Sequence, residues 1–267
     1  MFPKDTVMEK DDLIALWMAN GFIPRRRGPL DLHDKGCEIF SELTRRSFFQ
    51  EVDEKLDGTV TCKMHDLIHD LATLIMGHEG CMIEPNERLE IPETARHLLV
   101  PYSSSLPKVM DLTKLPALRS LILHGERFDT GDLSDPSHLI SVPKYMKVLH
   151  FGHGFSNVGF ESLKHLRYLR LNDSMRTLPE STSSLHNLQT LNLHSCSKLE
   201  MLPKGMKHLK NLRYLDLRFC DSLTCMPAGL GQLTCLRKLS KFIVGKDNGC
   251  GIDELKELAL EGELSIT

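Results

Sequence analysis

Leu188-x-x-Leu191-x-Leu193, Leu212-x-x-Leu215-x-Leu217 and Leu236-x-x-Leu239 are one phrase written three times, 24 residues apart. Pro179, Pro203 and Pro227 keep the same interval, as do Leu185, Leu209 and Leu233. Three kinds of marker in one register point to a structural repeat rather than to chance. The interval lies among the roughly 20–29 residues of leucine-rich repeats, whose coils stack into a solenoid. A coil of this kind cannot bury its own apolar face, so each borrows its neighbour's.

Working upstream, Leu166-x-x-Leu169-x-Leu171 is clear, Met146-x-x-Leu149-x-Phe151 is degraded, and Leu118-x-x-Leu121-x-Leu123 is clear again. Downstream, Lys241-Phe242-Ile243-Val244 breaks the phrase, and a new apolar one begins at Leu264 and Ile266. The leucines are predicted to point inward from a parallel sheet while the residues between them face out. Strands about 4.8 Å apart bring equivalent positions into columns. One column is Tyr168, Thr190, Tyr214 and Lys238; the next is Arg170, Asn192, Asp216 and Ser240; a third is Asn172, His194 and Arg218. Mixed polar, charged and aromatic columns suit a surface that meets another protein. Cys196 and Cys220 each follow the last leucine of a line by three residues, where Asn or Cys bonds neighbouring backbone in this repeat, so both read as structural. Leu-Pro or Met-Pro at 178–179, 202–203 and 226–227 starts the return segment.

The remaining 267-residue composition sets limits. Lys and Arg number 33 against 36 Asp and Glu, a net charge of −3. That balance disfavours a general nucleic-acid or membrane-surface binder. No apolar run approaches the roughly 18 residues of a membrane span, and Met1-Phe2-Pro3-Lys4-Asp5 lacks the apolar stretch of a secretory signal. Eight unpatterned cysteines read as reduced thiols, and hence as a cytoplasmic protein.

Ahead of the repeats the periodicity changes. Leu13, Leu16, Trp17 and Asn20 predict a helix from Glu9 to Ile23, stopped by Gly21 and Pro24. Arg25, Arg26 and Arg27 form a polar loop. A second helix is expected from Asp31 to Ser47, burying Cys37, Phe40 and Leu43. Residues 48–52 and 59–63, joined at Asp57-Gly58, read as a β-hairpin. A third helix, 65–76, carries Met64, Leu67, Ile68, Leu71, Leu74 and Ile75 as an apolar stripe. Helix, helix, hairpin and helix fit the later part of a winged-helix module. The expected architecture is therefore α+β joined to an α/β repeat: a partial winged helix over 1–80, a linker and cap over 81–110 with a capping strand at 95–100, and leucine-rich repeats over 111–267.

The one polar cluster that looks like a site is Met64-His65-Asp66-Leu67-Ile68-His69-Asp70. With Cys62, His78 and Cys81 it offers metal-binding residue types, but no C-x-x-C pair anchors them, and no metal is expected. A phosphate-cradling Gly-x-x-x-x-Gly-Lys-Ser/Thr loop is absent, as is a Gly-x-Ser-x-Gly elbow. Nothing therefore argues for an enzyme.

Several long phrases carry a resemblance. Phe2-Pro3-Lys4-Asp5, then 13–23 (LIALWMANGFI), then Leu43-x-x-Arg46-Ser47-Phe48-Phe49-Gln50, then Met64-His65-Asp66-Leu67-x-x-Asp70-Leu71-Ala72 are similar to the plant nucleotide-binding leucine-rich-repeat (NB-ARC) immune receptors, above all the coiled-coil class of disease-resistance proteins. The resemblance implies that residues 1–80 are the winged-helix end of a nucleotide switch. It implies that Met64, His65 and Asp66 are the motif contacting bound ADP, with the His65 imidazole N–H donating to a β-phosphate oxygen. It further implies repeats that sense a pathogen effector or a guarded host protein, that meet related receptors, and that restrain the switch. The family's phosphate loop and Mg-binding acidic strand have no match here, so this chain itself is expected to hold no cofactor, neither ADP nor ATP. Two alternatives stand beside this reading. One is a winged-helix DNA-binding regulator, disfavoured by the mixed charges of residues 31–47; the other is a stand-alone repeat protein acting as a decoy or regulator of full-length receptors. An uncovered winged-helix face and an uncapped last repeat would expose apolar surface at both ends.

Overall fold

The computed structural model describes residues 2–24, 31–83, 91–101, 109–124, 139–151, 160–171, 175–245 and 249–267. Arg25–Arg27 and Asn172 lie outside them.

The first unit is β1 (Met8–Glu9), α1 (Lys10–Asn20), α2 (Leu32–Arg45), β2 (Phe49–Glu54), β3 (Val60–Met64) and α3 (Asp66–Met76). Helix α1 stops where Gly21 takes φ 82°, a left-handed turn that lets the Gly21 and Phe22 N–H groups bond the Trp17 carbonyl. Asp31 opens α2 by accepting the His33 N–H at 3.4 Å. The two helices cross so closely that a Cβ on Gly36 would stand 2.4 Å from Ile14 Cγ2. The expected hairpin forms, with an irregularity between Gln50 and Asp53, and β1 joins it in the order β1-β3-β2. Met8, Leu13, Ile14, Met18, Ile23, Phe40, Phe49 and Cys62 fill the core, with the Phe40 and Phe49 rings stacked at 5.0 Å. Cys37 and Leu43 pack at its margin.

Helix α3 corrects one expectation. Leu67, Leu71, Leu74 and Ile75, read as a buried stripe, are 72%, 49%, 79% and 75% exposed. Its inward face is the narrower set Ile68, His69, Ala72 and Met76. The helix meets the domain along one side, and no described element covers the other half of its apolar surface.

The second unit adds β4 (Gly80–Met82), β5 (His97–Pro101), β6 (Val109–Asp111), β7 (Ser120–His124), β8 (Leu139–Ser141), β9 (Val148–His150), β10 (Tyr168–Arg170), β11 (Thr190–Asn192), β12 (Tyr214–Asp216), β13 (Lys238–Leu239), β14 (Lys241–Phe242) and β15 (Ser265–Ile266). Eight of these form one parallel sheet in the order β13-β12-β11-β10-β9-β7-β5-β4. The strand expected as a cap, β5, is thus the second in line, with β4 outside it. Leu98, Leu121, Leu149, Leu169, Leu191, Leu215 and Leu239 stand in register across seven strands, each at most 2% exposed. The degraded phrase packs as well as the clear ones, since Met146, Leu149 and Phe151 are all buried. A Met or Phe conserves the inward volume, and that is what the stack requires.

Pro179 and Pro203 open the 3₁₀ turns Glu180–Ser184 and Lys204–His208 on the convex side. There proline removes no ladder hydrogen bond. Cys196 and Cys220 are buried as expected, and their thiols donate to the Leu171 and Leu193 carbonyls at 3.3 and 3.1 Å. The apparent break at 241–244 conceals a continuing interval: β14 pairs in parallel with β15, Lys241 beside Ser265 and Phe242 beside Ile266.

Candidate functional site

Two of the three columns read from the sequence form, the second of them without Ser240. Tyr168, Thr190, Tyr214 and Lys238 align across β10 to β13, and Arg170, Asn192 and Asp216 align beside them. They are not an open surface, however. Helix α1 lies across them, leaving Tyr168 1%, Asn192 2% and Tyr214 8% exposed. The polar columns are paired with the chain's own first domain, because their side chains complement its acids.

The contact is built charge by charge. The Asp12 carboxylate accepts from Asn192 at 2.8 Å and from the Tyr168 hydroxyl at 3.3 Å, and pairs with Arg170. Lys238 reaches Asp11 at 2.6 Å. Arg218 grips Asp216 of its own coil and extends to Glu9 at 2.8 Å and to the Thr59 hydroxyl at 2.9 Å. His194 stands 3.8 Å from Asp216 and edge-on to Phe219. The His33 ring packs 5.2 Å from that of Tyr214 and lies 3.2 Å from Asp11. Between these polar contacts Ala15, Leu16 and Ala19 pack on Val148 and Tyr168. The two alanines let the helix backbone come close to the sheet.

A second set of residues holds the other end of α1, and the sequence reading missed it. Leu-Arg recurs at 118–119, 166–167, 212–213 and 236–237, with Lys147 in the same place. Arg167 donates to the Ala19 carbonyl and Lys147 to the Asn20 carbonyl, both at 3.4 Å. Cations at a helix C-terminus and acids in its first turn both suit the helix dipole. Ser120 donates to the Asn20 side chain at 2.9 Å, and Arg213 lies 2.8 Å from both oxygens of Asp31. The recurrent Leu-Arg pair was the available signal.

Burial and charge set the protonation of these groups. Burial pushes Asp12 up, and Arg170 opposes it. For Asp11 burial is outweighed by the His33 hydrogen bond and the Lys238 ammonium, which hold it well below the usual carboxylate range. Asp216 is likewise held low against burial by Arg218. Burial raises Tyr168 well above its ordinary value, so it stays a hydrogen-bond donor.

The Met64-His65-Asp66 motif straddles the start of α3. Met64 ends β3 and packs against the winged-helix core. His65 is the N-cap, its Nδ1 accepting the Leu67 N–H at 3.3 Å. A neutral His65 therefore carries its proton on Nε2. Asp66 is exposed in the first turn. The other members of the cluster are used structurally: His69 bonds the Phe2 carbonyl at 2.9 Å and Asp70 pairs with Lys4 at 2.7 Å. On α2, Arg45 and Arg46 pair with Glu42, and Lys35 with Glu38. That helix offers few free cations to a phosphate backbone.

Residues 1–72 match the family model of the disease resistance protein winged helix domain, and 140–265 match that of a leucine-rich repeat region. Over its whole length the chain is 40% identical to disease resistance protein RGA2 of Solanum bulbocastanum, covering 25% of that protein. It is also 40% identical over its whole length to an Arabidopsis thaliana protein described as a disease resistance protein, covering 19% of it. The chain belongs to the plant disease-resistance proteins. It spans a quarter or less of the length of these relatives. The winged-helix disease-resistance match carries the acids of the contact, and the repeat match carries Arg170, Arg218 and Lys238. The contact thus joins the two regions by which the family is recognised. Among the described residues no helix is long and apolar enough to cross a membrane.

Proposed function

We propose that this chain is the sensing and restraining portion of an intracellular plant immune receptor, in which the repeats hold the winged helix until a protein partner releases it. The observation that carries this reading is the matching of charges: Arg170 with Asp12, Lys238 with Asp11, Arg218 with Glu9 and Arg213 with Asp31. Ion pairs between two domains orient them specifically while leaving the contact reversible. A cleft of about 610 Å³ opens beside it, bordered by the hairpin turn Asp57–Thr59 and by Phe219, Asp221 and Lys241. A pathogen effector or guarded host protein entering there would compete for Arg218 and Lys238. By differential affinity for the two arrangements it would shift the domains toward the open one.

His65 fits a second part of this role. Its Nε2–H would donate to a phosphate oxygen of ADP, supplying one contact of a nucleotide site in the longer receptor. Met64 and Asp66 position it, the first by packing and the second by favouring the helix start. Bound nucleotide would supply a charged ligand whose state biases the switch.

The test is charge reversal in a full-length relative. Lys at the positions aligned with Glu9, Asp11 and Asp12 should trigger leaf cell death without a pathogen molecule. Glu at the positions aligned with Arg170, Arg218 and Lys238, added to the same protein, should silence it again. A quiet triple-lysine receptor that accumulates normally would refute the restraint.

A further inference from the structure

The concave face is matched cation for anion, yet the neighbouring edge of the solenoid is not. Just ahead of β7, β9 and β10 stand Arg119, Lys144, Lys147, Lys164 and Arg167. None of the five has a carboxylate within ion-pair distance among the described residues. Arg119 spends its guanidinium on its own turn, donating to the Pro116 and Leu118 carbonyls at 2.8 and 2.9 Å. Lys147 is held below its ordinary pKa first by burial and then by repulsion from Arg167, Arg119 and Arg96. Glu161, one turn before Lys164 in the chain, forms no ion pair among the described residues. Among the described residues the cluster is thus positive charge without a paired counter-charge.

At its centre sits Tyr145, 45% exposed. Lys144 Nζ lies 5.0 Å and the Arg119 guanidinium 5.8 Å from its ring, and His165 packs against it at 5.4 Å. Tyrosine and arginine in one exposed cluster are the residue types that dominate protein interfaces.

We infer that this edge, Arg119–Lys144–Tyr145–Lys164–His165, is a second protein-docking surface, and that its occupant is an extended acidic segment of another protein carrying aromatic or apolar side chains. Charge complementarity selects the acids. The exposed ring gives an apolar side chain a platform between the cations, and the chain's net charge of −3 disfavours a phosphate polymer as the occupant. Neighbouring strands lie about 4.8 Å apart and same-face side chains of an extended chain about 6.6 Å apart, a difference that the long, flexible Lys144 and Lys164 side chains span. The site adds to the reading above and does not depend on it, since none of its exposed members touches α1.

Fluorescence anisotropy tests it with a labelled peptide of alternating Glu and Tyr, read against poly-Lys and a single-stranded oligonucleotide. The chain should bind the acidic peptide, and Lys144→Glu with Lys164→Glu should weaken it on the order of tenfold, the equivalent of about 1.4 kcal/mol. Tyr145→Ala should weaken it too. Both variants replace exposed residues, and an unchanged melt confirms that they fold. Equal binding by the double variant, no binding by the parent chain, or tighter binding of the oligonucleotide than of the peptide would each overturn the proposal. A silent triple-lysine receptor, by contrast, leaves this surface untouched.

Discussion

Replacing Asp12 by Ala interrogates the contact between α1 and the repeats at its most enclosed point. The Asp12 and Arg170 side chains are 16% and 22% exposed, and Asp12 also serves Asn192 and Tyr168. Were the pair on the surface, its loss would cost about 0–1 kcal/mol. Were it fully buried, stranding Arg170 would cost about 3–5 kcal/mol. With roughly a fifth of each side chain still wet, the lower end applies, about 3 kcal/mol. That is a change on the order of a hundredfold in the equilibrium for lifting the helix.

Asp12 also lies in the first turn of α1, where losing an acid costs a further 0.3–1 kcal/mol or so through the helix dipole. A double-mutant cycle separates the two effects. Asp12→Ala should accelerate amide exchange across Lys10–Asn20 strongly in the parent chain, but far less in an Arg170→Met background, where no charge is left stranded. A coupling of about 2 kcal/mol is expected. Losses that add to within about 0.5 kcal/mol would refute the argument, because independent sites behave that way.

Further outcomes follow from the geometry. Burial pushes His97 down from 6.5 to about 4. Between those values the unfolded chain takes up a proton that the folded chain does not, so stability should fall as pH drops from 6.5 to about 4. His97→Gln should flatten that stretch of a pH series of urea melts. Asp11 and Asp216 are held below 3.8, so their stabilisation is complete above that value and lost only as pH falls beneath it, even in the His97 variant. Gly36→Ala would force a Cβ to within 2.4 Å of Ile14 Cγ2 and should cost about 1–3 kcal/mol by overpacking, read from the urea midpoint. Cys220→Ala removes the thiol donor from the Leu193 carbonyl, which keeps the Cys196 N–H at 3.0 Å, and should cost about 0.5–1.5 kcal/mol at unchanged m-value. Calorimetric titration of this chain with ADP should show no micromolar binding, since His65 alone does not make a phosphate site.

The repeat was legible because its physics is periodic: an inward leucine every 24 residues is a statement about one coil and its neighbour. Even Met146 and Phe151 obeyed it, since only volume is at stake there. The destination of α1 was not legible. Asp12 and Arg170 are far apart in the chain, and a helix face bearing Asp11 and Asp12 looks the same in sequence whether it faces water or a basic sheet. The first two columns form where expected but were read as open, because alternation shows which side chains leave the core but not what meets them. Leu-Arg was a repeated pair hidden within a stronger leucine signal. On α3 the opposite error arose: Leu67, Leu71, Leu74 and Ile75 have the spacing of a buried stripe, yet periodicity cannot supply the surface needed to bury it.

The two contacts of the repeats differ in kind, and that difference supports a switch. Inside the solenoid, leucines in register share a dry interior that opens only by unfolding, since each buried Leu is worth about 1.5–3 kcal/mol and several must separate together. Against α1 the apolar part is small, two alanines and Leu16 on Val148 and Tyr168. Most of the partners there are charged or hydroxyl groups that water can serve almost as well once the domains part. Such a contact costs little to break as a unit and much to break one-sidedly, because a lone Arg170 or Asp12 left enclosed has no substitute partner. It therefore favours two states, seated or fully lifted, over partial slippage. On the proposed restraint, a partner that supplies its own acid to Arg218 or Lys238 would push the domains toward the lifted state, whereas one that only fills space beside them would not.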